Sequence, residues 1–373
     1  MTIYSKSDVK KMWERPYEEQ MDVFYAKIAE AFSLSNGGKV FVGYSGGKDS
    51  SFLLYHVANL WKAFFGDKPL HVVFHNTTVE YIGMVKFVRW FIQYLSNLFG
   101  VKIILHETRP SDGKTFVTVY KNIGLPLISK TVAKSIRRMK DLMRKCNVTY
   151  EQILPFLDKT KENVETLQRM FQGSKSSTLY LLGYTSSLKN FGSEYKIANK
   201  WMPLLNAPFE LTDECCAILK HGNIPKDFEN WVNITGEMAE ESRKRLSAYQ
   251  HTGCNEALVF GKGGKSKPMG PMTLQTELRN IKENGIPIFK HYGEVVEENG
   301  KYKTTGMYRT GCALCGFGLE FEPDRFIRLN EIEPARVRFA FMDREKGGLG
   351  YREAFEYCNK YCGTNWGIPD TGE

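Results

Sequence analysis

One segment constrains this chain more than any other: Phe41-Val42-Gly43-Tyr44-Ser45-Gly46-Gly47-Lys48-Asp49-Ser50-Ser51. An apolar run that reads as a buried strand passes through Ser-Gly-Gly-Lys-Asp-Ser straight into a helical pattern. Two successive glycines let backbone N–H groups turn inward and form an anion-binding concavity. The N-terminus of the following helix adds its unpaired donors and its dipole. The hydroxyls of Ser45, Ser50 and Ser51 can donate to phosphate oxygens, and Lys48 supplies a positive charge. Asp49 repels phosphate unless magnesium or the lysine offsets it, so it is the candidate magnesium ligand. The expected nucleotide site is therefore Ser45, Gly46, Gly47, Lys48, Asp49, Ser50 and Ser51, with Lys48 and Asp49 also the candidate catalytic pair. This is not the Walker A pattern, which has four residues between its glycines and ends in Gly-Lys-Ser/Thr. The bland alternative is an ordinary Gly-rich turn.

Around that loop, strand and helix patterns alternate. Ser7 to Ser35 reads as one helix, with Met12, Tyr17, Met21, Phe24, Ile28 and Phe32 on one face. Strands are expected at Lys39–Tyr44, His71–Phe74 and Val101–Glu107, with helices at Ser50–Phe65 and Val85–Leu98 between them. Trp231–Thr235 reads as a late strand, Gly261–Lys267 as a Gly/Lys-rich loop and Thr273–Asn284 as a helix. The alternation predicts an α/β fold, a parallel twisted sheet with helices on both faces. It carries a helical insert and a Cys-bearing C-terminal region. The expected organisation is an N-terminal helical segment (1–37), a nucleotide-binding core (38–128), a basic helical insert (129–175), the rest of the core (176–300) and a Cys-x-x-Cys region (301–373).

Composition excludes several classes. Of 373 residues, 42% are hydrophobic and 25% charged, a globular balance. The apolar runs are too short to span a bilayer, and no secretion signal is visible at the N-terminus, so a cytoplasmic protein with no membrane association is expected. The net charge of +9 suits a polyanionic partner but equally a basic solvated surface. The insert concentrates this charge in Lys130, Lys134, Arg137, Arg138, Lys140, Arg144 and Lys145. It reads either as a face for a nucleic-acid acceptor or a partner protein, or as a solvated helical surface. Oligomeric state is not legible.

The Ser-Gly-Gly-Lys-Asp-Ser loop resembles the PP-loop of the ATP-pyrophosphatase and PAPS-reductase superfamily, whose members cleave ATP between the α and β phosphates. Asn76-Thr77-Thr78-Val79-Glu80-Tyr81 resembles the family's aspartate-threonine-glycine element, with Asn76 in place of the acid and Thr78 in place of the glycine. Gly236 to Arg245 resembles the Gly-x-Arg-x-x-Glu-Ser segment of PAPS reductases, with Met238 where arginine is usual. That resemblance implies nucleotide-binding roles for Glu241, Ser242 and Arg245; otherwise the segment is a charged helix start with i,i+4 pairing. Lys267-Pro268 through Ile286-Pro287 and Tyr292 is similar to the proline-flanked helical segment that follows in the reductases.

Eight cysteines occur, and their clustering is informative. Cys215-Cys216 and Cys312-x-x-Cys315 supply four soft thiolates, enough to close a tetrahedral site. Their spacing resembles that of assimilatory APS reductases and of the ATPase subunit of DNA phosphorothioation systems, which implies a [4Fe–4S] cluster on Cys215, Cys216, Cys312 and Cys315. A Zn2+ site, a Cys312/Cys315 redox dithiol and buried cysteines acting as small hydrophobes are the alternatives. Lys220 and Arg309 are expected near the cluster. Cys362-Gly363 shares only Cys-Gly with the C-terminal nucleophile segment of sulfonucleotide reductases, so Cys362 is a candidate nucleophile on slight grounds.

An intact Lys-Asp loop suits a site that neutralises departing pyrophosphate. The implied reaction is adenylation of an acceptor by ATP with magnesium, followed by sulfur transfer supported by the cluster and a sulfur-donor protein. The alternatives are an APS/PAPS reductase releasing sulfite, and a non-catalytic nucleotide-binding subunit of a complex.

Overall fold

The computed structural model describes residues 2–111, 113–156, 161–172, 175–183, 196–220 and 224–372. The expected insert at 129–175 therefore includes stretches, 157–160 and 173–174, that lie outside the described residues. Nine strands run along the described chain: β1 (Val40–Gly43), β2 (Leu70–His75), β3 (Ile103–Thr108), β4 (Leu127–Ile128), β5 (Val232–Thr235), β6 (Gly264–Ser266), β7 (Val295–Glu298), β8 (Lys301–Thr304) and β9 (Gly316–Phe317). The chain divides into two compact units, 1–110 with 220–312, and 111–219 with 313–373.

The first unit is built on a five-stranded, all-parallel sheet flanked by helices, in the order β3-β2-β1-β5-β6. β2 and β3 are laid down outward on one side of β1, and β5 and β6 on the other. Strand order therefore reverses at β1, the position where α/β sheets leave a crevice at their carboxyl ends. Helix Lys48–Phe65 buries Phe52, Leu53, Leu54, Val57, Ala58 and Trp61, and helix Met84–Phe99 buries Val88, Phe91, Ile92 and Leu95. Apolar residues at i, i+3 and i+4 account for both helices.

Two expectations in this unit are corrected. The single helix at Ser7–Ser35 is two, Lys6–Trp13 and Tyr17–Ser33, because Pro16, lacking an N–H, caps the second instead of continuing the first. Part of the Gly/Lys-rich loop is strand β6, paired in parallel with β5 through Val232↔Gly264 and Ile234↔Ser266. Its backbone bonds, not its side chains, define it, so no alternating apolar pattern announced it.

In the second unit, helix Lys130–Cys146 buries Ala133, Ile136, Met139 and Met143. Three of its basic residues are engaged within the unit: Arg137 with Asp213, Lys140 with the carbonyls of Ala207 and Phe209, and Arg144 with Glu210. β4 pairs with β9. Residues 301–373 are more than a cysteine-bearing tail. Helices Arg325–Ile332, Pro334–Phe341 and Tyr351–Tyr361 pack Phe326, Phe341, Tyr351, Phe355 and Trp366 into one aromatic cluster. Among the described residues no helix is long and apolar enough to cross a membrane.

Candidate nucleotide site

β1 delivers the loop to the carboxyl end of the sheet, and helix Lys48–Phe65 starts at once, with Gly47 as its N-cap. Gly46 has φ +77°, and an added Cβ would lie 2.3 Å from Met84 Sδ, so glycine is required there by conformation and by space. Gly236, at the end of β5, approaches the loop closely enough that a Cβ would meet the Asp49 carbonyl oxygen at 2.9 Å. The Gly236–Arg245 segment is thereby held against the start of the helix.

Ser45, Gly47, Lys48 and Asp49 line a cavity of about 460 Å³ together with Glu241, Arg245, Tyr292, Arg309 and Thr310. Six of the expected nucleotide residues, Ser45, Gly47, Lys48, Asp49, Glu241 and Arg245, thus face one space. Glu241 pairs with Arg245. The others act within the backbone framework. Ser50 Oγ lies 3.0 Å from Ser45 Oγ and accepts from the Ser45 N–H. Ser51 is fully buried, its hydroxyl 3.2 Å from that of Tyr44. Ser242 caps helix Arg243–Thr252 by accepting from the Arg245 N–H.

The charges at the cavity wall form a linked set. The Lys48 ammonium contacts Asp49 and donates to Glu277 at 3.1 and 3.4 Å. Burial pulls the lysine down, but Glu277 and then Asp49 outweigh it and hold its pKa above the ordinary value. Burial and the neighbouring Asp49 charge push the Glu277 carboxyl well up. Asp49 is held low: burial opposes its charge, but Lys48 and a hydrogen bond from Glu277 prevail. Glu241 is raised by burial and by Asp49, against the pull of Arg245. Tyr292, whose hydroxyl accepts from Thr310 Oγ1 at 2.7 Å and from the Lys48 backbone N–H, sits at the helix N-terminus.

The Asn76–Tyr81 element folds as a tight turn. Asn76 donates to Glu107 at 2.8 Å and accepts from the Thr78 N–H at 3.1 Å. Thr78 has φ +69°, the left-handed conformation that glycine adopts without strain. Thr77 donates to Glu80 through both its N–H and its hydroxyl, at 2.9 and 2.6 Å. Glu80, His75, Lys220, Thr310 and Cys312 line a second cavity of about 230 Å³.

Compared with known proteins, the chain matches no family model and no curated protein.

The cysteines expected as ligands are distributed over the two units. Cys215 and Cys216 open helix Cys215–Leu219 and, with Cys315, belong to the second; Cys312 is the last residue of the first, 3.7 Å from Thr77 Oγ1. No disulfide forms among the described residues, so the donor chemistry remains that of thiols. Among those residues no group of three or more His, Cys, Asp or Glu side chains is arranged to hold a metal ion. Of the expected neighbours, Lys220 lines the cavity of Cys312, and Arg309 lines the larger one. Cys362 is buried in the second unit beside Cys358, which lowers its pKa through a thiol hydrogen bond with help from Lys200. Cys254 is packed against Tyr249, and burial pushes its thiol up to about 12.

Glu277, Thr310 and Arg309 were not among the expected nucleotide-site residues. Glu277 had a sequence signal: a carboxylate between Leu274, Leu278 and Ile281, on the face of helix Leu274–Glu283 that turns inward.

Proposed function

We propose that this chain is a PP-loop enzyme of the ATP-pyrophosphatase type, which binds ATP at Ser45–Ser51 and transfers its adenylyl group to an acceptor. The observation that carries this reading is the convergence of Lys48, Arg245 and Arg309 with a helix N-terminus on one cavity at the carboxyl end of β1. An acceptor oxygen attacks the α-phosphorus, the bond from that phosphorus to the α,β-bridging oxygen breaks, and pyrophosphate leaves with its electron pair. Lys48 and the N-terminus of its helix would offset the charge that grows on the leaving group. Arg245 and Arg309, which line the same cavity, would hold phosphate oxygens and orient the nucleotide for in-line attack.

Asp49, an anionic carboxylate at the cavity wall, suits a hard cation, and magnesium bound there would neutralise phosphate charge. The sulfur chemistry is part of the same proposal: Cys215, Cys216, Cys312 and Cys315 would hold a [4Fe–4S] cluster on donor chemistry alone, and it would support delivery of sulfur to the activated acceptor. Zinc is the competing occupant. A nucleic-acid acceptor, a sulfur-donor protein and a cytoplasmic setting complete the reading.

The test uses anaerobically purified full-length protein, incubated with ATP and magnesium in the presence and absence of cellular nucleic acid. AMP and pyrophosphate should appear, increase with nucleic acid and require Lys48. Sulfite from APS or PAPS without AMP from ATP would replace this reading with a sulfonucleotide reductase. Tight ATP binding without any product would replace it with a non-catalytic subunit. Iron and acid-labile sulfide should be present and lost in Cys312→Ser; zinc in their place would remove the cluster from the account.

A further inference from the structure

A carboxyl group with no solvent exposure is an expensive residue to keep on the inward face of a helix. At Glu277 the neighbouring apolar side chains do not need it: Leu278 and Ile281 already fill that face. What Glu277 does touch is the phosphate-binding loop. Both of its carboxyl oxygens accept from Lys48 Nζ, at 3.4 and 3.1 Å, and it also hydrogen-bonds Asp49. Resting on the nucleotide reading above, we propose that Glu277 is a positioning residue for Lys48, fixing the direction of its ammonium at the wall of the cavity.

The physical need is clear. A lysine side chain has a flexible four-carbon stem, and ordering it costs up to about 2 kcal/mol of rotamer entropy. Asp49 is adjacent in sequence and moves with the same backbone, so it limits Lys48 only from one side. Glu277 comes from a different helix and supplies a second, independent point of attachment. With both in place the ammonium has one orientation, and Lys48 is only 7% exposed. Positioning of this kind acts on the transition state more than on ground-state binding, because the leaving-group charge that Lys48 meets develops during bond cleavage.

Two substitutions separate this role from a merely structural one. Glu277→Met fills a similar volume and removes every polar atom; losing one partner of a buried ion pair is destabilising, so its kcat is read per folded molecule. Glu277→Gln keeps an oxygen that accepts from Lys48 and an amide that donates to Asp49. In the Met variant kcat for pyrophosphate release should fall by about ten- to a hundredfold with KM for ATP little altered. Gln should recover at least about tenfold of that loss. A second readout needs no turnover: labelling of Lys48 by an amine-acylating reagent, followed by mass spectrometry of its peptide. Lys48 should be protected in the wild-type protein, exposed in the Met variant and protected again in the Gln variant.

Equal labelling and equal kcat in wild type and Met variant would overturn the inference. So would equal losses in the Met and Gln variants. If the wild-type protein releases no pyrophosphate but the labelling pattern holds, the nucleotide reading falls while the positioning of Lys48 stands.

Discussion

Each unit of this protein buries a lysine, and the two are held in opposite ways. Lys48 in the first unit is bound by carboxylates, Asp49 and Glu277, and its pKa is raised. Lys140 in the second donates to the carbonyls of Ala207 and Phe209 at 3.0 and 2.9 Å, with Glu210 only at 3.5 Å, and burial lowers its pKa. Carbonyls satisfy an ammonium's donors without neutralising its charge, whereas carboxylates do both. Lys140 therefore ties a helix to a neighbouring segment and serves the fold. Lys48 lies at a cavity wall with its ammonium form stabilised, where the proposed reading puts a phosphate group. Burial alone does not distinguish these two lysines; their partners do.

The sharpest break of this comparison is a parallel substitution. Lys48→Met should reduce AMP and pyrophosphate release by at least about a hundredfold, the scale of losing a charge that stabilises a transition state. Lys140→Met should leave turnover per folded molecule unchanged. In urea unfolding, however, Lys140→Met should cost about 1–3 kcal/mol, because the carbonyls of Ala207 and Phe209 lose their donor. Gly46→Ala should reduce ATP affinity and turnover together: at φ +77° and 2.3 Å from Met84 Sδ, a Cβ displaces the loop itself. The smallest expected effect is in alkaline pH dependence. The folded-state pKa of Lys140 lies below the ordinary lysine value of 10.5, so just under that value the unfolded chain binds a proton that the folded unit lacks. The stability contribution of Lys140 therefore rises with pH in that window. That of Lys48, raised above 10.5, is fully present below it and is lost as pH climbs through the higher folded value. Subtracting the Lys140→Met unfolding profile from that of wild type should isolate the rising component; a flat difference would remove the contrast.

Much of the first unit was legible in the sequence because its signals are local. Three strands, the loop and two helices follow one another with short connections, and each carries its own apolar period. β6 was not legible, since it opens on Gly264 directly after Gly263 and its pairing to β5 is a matter of backbone bonds. Pro16 divided a helix whose apolar face continued across the break. The packing of residues 325–361 rests on Phe326, Leu329, Val337, Phe341, Tyr351 and Phe355, all fully buried, but it is split over three short helices, so no single long apolar period marks it. At the candidate site the loop drew its expectation from residue type and order, and Glu241 and Arg245 from a resemblance; the structure adds that residues of both segments line one cavity. Glu277 was not placed there, because its meeting with Lys48 depends on tertiary packing across a separation of 229 residues.

The most direct test of the central claim is the identity of the products formed from ATP, followed by phosphorus NMR on the purified full-length protein with magnesium and acceptor nucleic acid. Cleavage between the α and β phosphates, giving AMP or an adenylated acceptor with pyrophosphate and requiring Lys48, is the predicted result. ADP with inorganic phosphate, or products unchanged by Lys48→Met, would contradict the account.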